Sequence, residues 1–231
     1  MEPVEEDWAS ALAIVAHPDD LEYGAAMAIA RWTAQGKKVV EVLATRGEAG
    51  IQTMPPEEVG PLRSAEQVEA ARLVGVDTVE FLDFPDGMLE YGLPLRRALA
   101  QAIRRHRPEV VVSLNFRETF GPGTYNMADH RVLGRAVADA VRDASNPWVF
   151  RDLPEPAWHG VRFALFANSP AAAHFVDVGD HLETGLRALA AHRVYLAHLE
   201  GAPDQGEMVT SIVAAAGRAA GVAHAVPFER L

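Results

Sequence analysis

The sequence contains no cysteine. Disulfides and thiolate metal sites are therefore excluded, and any bound metal must rest on His, Asp or Glu. Basic residues are in deficit: 21 Lys and Arg stand against 32 Asp and Glu, a formal net charge of -11. That balance argues against nucleic acid, whose binding depends on basic residues that neutralise phosphates. Long apolar runs are missing too. No stretch approaches the ~18 apolar residues of a membrane span, and the acidic opening MEPVEEDWAS lacks the basic segment and apolar core of a signal peptide. No membrane partner is expected, and the cytoplasm is the default location. Repeats and low-complexity tracts are absent.

What is present suits one α/β domain. With 231 residues, 49% of them hydrophobic, the chain can bury a sizeable core. We expect a single domain over 1–231, its C-terminal third from about 150 completing the pocket. Short Val-, Leu- and Ile-rich runs at Ala11–Ala16, Val39–Ala44, Val79–Leu82, Val110–Leu114 and Arg162–Phe166 read as buried strands. Between them lie helical patterns at Glu22–Gln35, Arg63–Val74, Leu93–Arg107 and Asp129–Ser145, each closed by Gly or Pro signals. His174–Val178 adds a further strand before closing helices. Alternating strand and helix predicts a Rossmann-like, mostly parallel sheet with helices on both faces.

Chemistry concentrates where strands end. The first strand breaks off into His17-Pro18-Asp19-Asp20, in the place where a dinucleotide fold puts G-x-G-x-x-G, so a nicotinamide cofactor is disfavoured. Pro and Asp suit any helix start, but a His there does no capping. Two stretches, Arg46–Leu62 and Asn115–Ala128, exceed the roughly 2–6 residues usual for connections. Both leave the carboxyl end of a strand, where open α/β sheets bind ligands. The second closes on Asp129-His130, so two imidazoles and a carboxylate converge on one rim, a natural three-ligand zinc site with one position left for water.

These residues carry a resemblance. AHPDD after the first strand, TRGEAG after the second, the spaced Arg63, Glu66, Ala70 and Gly75, DFPDG around Asp86 and the Asp-His closing the long loop resemble the PIG-L/LmbE zinc-dependent deacetylases. The likeness runs from about Ala13 to Gly134 and continues weakly into VDVGDHLETGLRALAAH. It implies removal of an acyl group from an N-acylated sugar or related small amide, with Zn2+ or another divalent ion as cofactor. Residue by residue, it makes His17, Asp20 and His130 the ligands and Asp19 the general base, and places Asp129 among the catalytic residues. It also admits a homo-oligomer, with apolar C-terminal helices as the surface.

One position departs from the family. Its third motif usually reads His-Pro-Asp-His, whereas here the four residues are Met127, Ala128, Asp129 and His130. The first His, assigned to the tetrahedral intermediate, is replaced by a thioether that cannot donate a hydrogen bond. Tyr125 and His192 are the candidate substitutes. Arg46, Glu48, Arg63 and Asp86 are candidate substrate contacts, Arg63 through its rigid fork of donors. A binding protein that kept the metal but lost efficient hydrolysis is the alternative.

Overall fold

The computed structural model describes residues 1–121, 123–199 and 201–231. In chain order the strands are β1 (Glu2–Pro3), β2 (Ser10–Val15), β3 (Lys38–Leu43), β4 (Val79–Phe81), β5 (Val110–Leu114), β6 (Thr119–Gly121), β7 (Thr124–Tyr125), β8 (Phe163–Ala167), β9 (His174–Asp177) and β10 (Ala225–Arg230). The α-helices are α1 (Asp20–Gly24), α2 (Ala26–Ala34), α3 (Pro56–Leu73), α4 (Leu93–His106), α5 (Ala128–Ser145), α6 (Leu182–Ala190), α7 (Arg193–Ala197) and α8 (Gln205–Ala220). None of the described helices is long and apolar enough to cross a membrane.

The central sheet has the order β1-β9-β10-β8-β5-β2-β3-β4. All its pairs are parallel except those β10 makes with β8 and β9. Both faces are covered, and β2 shows how: Ala11, Ala13 and Val15 pack into one core with α2, α3, α6 and α8, while Leu12, Ile14 and Ala16 pack into the other with α4 and α5. A strand buried on both sides has no polar face, which is why its sequence reads as an unbroken apolar run.

After β2 the chain builds outward through β3 and β4, then crosses back to lay β5 on β2's other side. The sheet's order reverses between β2 and β5. Loops diverge at that point and leave a crevice beyond the carboxyl ends of the two strands. His17 follows β2 and Asn115 follows β5.

Several expected boundaries moved. The Glu22–Gln35 helix is two helices broken at Ala25, whose φ is -138°. α3 begins at Pro56, well before Arg63, and carries Pro61 inside it. The Arg46–Leu62 connection is correspondingly shorter. The Asn115–Ala128 stretch contains the β6–β7 antiparallel ribbon.

Candidate active site

His17 opens the turn out of β2 and is buried, 5% exposed. The turn is tight because Asp19 adopts the left-handed conformation, φ 82° and ψ -17°, which Asp tolerates better than most residues. Asp20 then folds back across it: its Oδ2 accepts the backbone N–H groups of Ala16 at 3.0 Å and His17 at 2.9 Å. Its Oδ1 lies 3.0 Å from His130 Nε2. His130 is in the first turn of α5, with Nδ1 3.1 Å from Asn126 Oδ1. The Asn126 amide nitrogen donates to Asn115 O and Arg117 O, which leaves its oxygen as the acceptor. His130 Nδ1 therefore donates to Asn126, and its Nε2 faces the Asp20 carboxylate, a contact that takes a proton or a cation between the two atoms.

The second imidazole is oriented in the same way. His17 Nε2 lies 3.1 Å from Asp86 Oδ1 and 3.2 Å from Asp129 Oδ2. Asp129 also accepts N–H groups from Gly87 and Leu89, and Asp86 accepts one from Ala49. These carboxylates hold the His17 Nε2 proton and turn Nδ1 inward, 3.3 Å from His130 Nε2. One ligand atom each from His17, Asp20 and His130 lies within 4.8 Å of the others. The trio His17, Asp86 and Asp129 also satisfies that spacing, but its carboxylates already serve backbone donors and the imidazole. It orients His17 from behind. Two inward imidazole nitrogens and a carboxylate would hold a divalent cation in place of those protons, and the donor types suit zinc.

Electrostatics agree with that fit. Burial draws the His17 imidazole down, yet the Asp20 carboxylate and bonds to Asp129 and Asp86 hold its pKa well above the usual value. Burial pushes the Asp20 carboxyl up, but the two imidazoles outweigh it and hold it below the usual carboxylate range. The cluster calls for positive charge.

Asp19 stands beside this set, not within it. Burial pushes its carboxyl up to about 6, against the pull of the Arg63 guanidinium. Arg63 is buried and donates to Asp19 Oδ2 at 3.0 Å, Pro18 O at 2.6 Å and Gly47 O at 3.0 Å. It braces the Asp19 carboxylate and the turn that carries it. Asp86 likewise serves His17. Arg46 bonds Asp83 and Ser64, and Glu48 bonds the backbone of Arg46 and Asp86, so both tie the loop after β3 to the loop carrying Asp86.

The two candidate substitutes for the missing imidazole fare differently. His192 has no exposed surface; its Nε2 lies 3.4 Å from Glu22 Oε2 behind the Asp19 turn. It is buried close enough to Asp19 for the two charges to interact. Tyr125, on the β6–β7 ribbon, is 85% exposed, and Met127, the residue preceding α5, is 53% exposed. Three residues that sequence reasoning missed belong here. Asn126 sits four before His130 and two before the start of α5. Tyr195, from α7, lies against the Arg63 guanidinium, 4.1 Å from its ring centroid. Gln67, from α3, accepts the Asp19 backbone N–H at 2.9 Å.

A family model described as PIG-L, GlcNAc-PI de-N-acetylase, matches residues 12–141. The chain is 31% identical over 187 residues to the diacetylchitobiose deacetylase of Thermococcus kodakarensis, covering 78% of this chain and 68% of that protein. It is 30% identical over 181 residues to a 1D-myo-inositol 2-acetamido-2-deoxy-alpha-D-glucopyranoside deacetylase of Kineococcus radiotolerans, covering 59% of this chain and only 48% of that one. Among solved structures, the N,N'-diacetylchitobiose deacetylase of Pyrococcus horikoshii superposes with a TM-score of 0.87 at 24% identity, over 98% of this chain and 85% of that chain. This last is a likeness of fold.

Proposed function

The chain belongs to the PIG-L family, whose model spans more than half of it, and on that premise we propose that it is a metal-dependent hydrolase removing the acetyl group from an N-acetylated amino sugar. The observation that carries this reading is the convergence of His17 Nδ1, Asp20 Oδ1 and His130 Nε2 beside the separate, buried carboxylate of Asp19. Relatives named as deacetylases of N-acetylated sugars support the substrate class.

His17, Asp20 and His130 would hold the divalent ion, with zinc the best match to the donor set. When bound, such an ion supplies Lewis acidity, stabilising negative charge on the acyl oxygen and making water a stronger acid. The chain's own residues handle the protons. Asp19 accepts one from the attacking water as its oxygen bonds to the acyl carbon, and returns one to the amide nitrogen as the C–N bond breaks, leaving acetate and the free amine. A carboxyl poised at about 6 can do both near neutral pH. Arg63 keeps the Asp19 carboxylate in place. Asp86 and Asp129 keep His17 facing inward, and Asn126 does the same for His130. The C-terminal third completes the site through Tyr195, packed on Arg63.

A second reading, metal and sugar binding with weak hydrolysis, is favoured by Met127, where the thioether offers no donor to the developing oxyanion. Acetate release from a panel of N-acetyl amino sugars with added zinc, followed by NMR, separates the two. The hydrolase reading predicts turnover of at least one member that Asp19→Asn abolishes; binding without acetate release from any would establish the alternative.

A further inference from the structure

Behind the Asp19 turn lies a buried polar layer that amide hydrolysis does not require. Glu41 sits mid-strand in β3 with no exposed surface, on the face where its neighbours Val39 and Leu43 are core residues packed towards α3. Glu22, on α1, is also buried. Between the two carboxylates lies Gln67, likewise without exposed surface. Its Nε2 donates to Glu41 Oε2 at 3.0 Å and reaches Glu22 Oε1 at 3.4 Å. With the Asp19 backbone N–H on one side and Glu22 Oε1 on the other, the amide has one workable orientation, since a flipped amide would set its nitrogen against a donor and its oxygen against an acceptor. Its Oε1 therefore points the other way, and accepts the Asp19 backbone N–H at 2.9 Å.

That peptide is an unusual one to hold. A non-glycine residue at φ 82° persists only where its surroundings fix it, and this turn is what separates the two adjacent carboxylates. Asp20 folds back onto the Ala16 and His17 amides, while Asp19 is sent towards Arg63. Arg63 grips the turn at the Pro18 carbonyl and the Asp19 carboxylate. Gln67 grips it at the one polar backbone group between them.

We infer that Gln67 is a positioning residue for the general base: its amide, oriented by Glu22 and Glu41, fixes the left-handed Asp19 peptide and thereby the direction of the Asp19 carboxylate. The inference rests on Asp19 being the base. The competing account is that Gln67 only supplies hydrogen bonds to two buried carboxyl groups, in which case its loss lowers stability and leaves the folded enzyme's chemistry intact.

Four proteins separate these accounts: wild type, Gln67→Leu, Asp19→Asn and the double variant, with Gln67→Met in place of Gln67→Leu should the latter not fold. Each is assayed well below its melting temperature, with metal content measured. The positioning role predicts that Gln67→Leu keeps its metal and its KM, loses roughly 10- to 100-fold in kcat, and exchanges its Asp19 amide proton at least tenfold faster in hydrogen–deuterium exchange. Because Gln67 acts through Asp19, the double variant is no slower than Asp19→Asn alone. Wild-type kcat and Asp19 exchange in Gln67→Leu, or losses that add in the double variant, would overturn the inference while leaving the base assignment standing. Undiminished turnover in Asp19→Asn would instead remove the base assignment, and the inference with it.

Discussion

Adjacent carboxylates do different work at Asp19 and Asp20 because one residue between β2 and α1 is left-handed. Asp20 spends one oxygen on two backbone N–H groups and directs the other at His130; Asp19 meets only Arg63 among charged partners within bonding distance. Asp19→Asn should accordingly keep the divalent ion and lose about 10²–10⁴-fold in turnover, the usual worth of a proton acceptor. Asp20→Asn should lose the ion. Metal analysis beside steady-state kinetics reads both, and a reversed pattern would swap the roles. Met127 poses a different test. Loss of an oxyanion donor typically costs ~10²–10³, so Met127→His should raise acetate release with metal content unchanged. Tyr125→Phe should cost less than about tenfold, because a phenol 85% exposed on a short ribbon is not preorganised as oxyanion donors must be. A larger loss would make Tyr125 the donor.

Among the elements, α5 ties the fold to the site. His130 and Asp129 occupy its first turn, and one turn later Gly134 brings the helix so close to the end of β5 that an added Cβ would meet Phe116 Cβ at 2.7 Å and Leu114 O at 3.0 Å. Gly134→Ala should push the helix outward, lowering the melting temperature and weakening metal retention together; an unchanged metal affinity would show that the site is insulated from this contact. The parts of the fold that were legible are those with local causes. β2, β5 and β8 are mostly apolar because both faces are buried, Gly marks the ends of α2 and α3, and Pro marks the ends of α4 and α5. β10 escaped notice because Pro227 argues against a strand, although the strand pairs with both β8 and β9. The first turns of α3 were hidden by Pro61, which reads as a helix breaker. In the site, His17, Asp20 and His130 could be found since each sits at a strand-to-helix junction. The duties of Arg63, Asp86, Gln67 and Tyr195 could not, because they depend on contacts between segments dozens of residues apart that only the folded sheet brings together.

For the molecule as a whole, a strand order that reverses beside β2 sets the crevice, and the buried carboxyls of Glu22 and Glu41 should make stability depend on pH. Burial, with the Glu22 charge beside it, pushes the Glu41 carboxyl well above the usual carboxylate range. A folded-state pKa above the unfolded one means that the stabilisation is complete below about 4.3, the unfolded value, and is lost as pH rises through the folded pKa. Glu41→Gln, neutral at every pH, should flatten that decline: its melting temperature should exceed that of the wild type near neutral pH by more than near pH 4. An equal difference at both pH values would show that Glu41 does not titrate within this window.

On the proposed reading, one divalent ion on His17, Asp20 and His130 enables amide hydrolysis. The most direct test is a zinc titration of chelator-stripped protein, with acetate release from an N-acetyl amino sugar followed throughout. The stripped protein should show no turnover, with recovery that saturates at about one equivalent per chain, as a single three-residue site requires. Full turnover in protein shown by elemental analysis to be metal-free would contradict it.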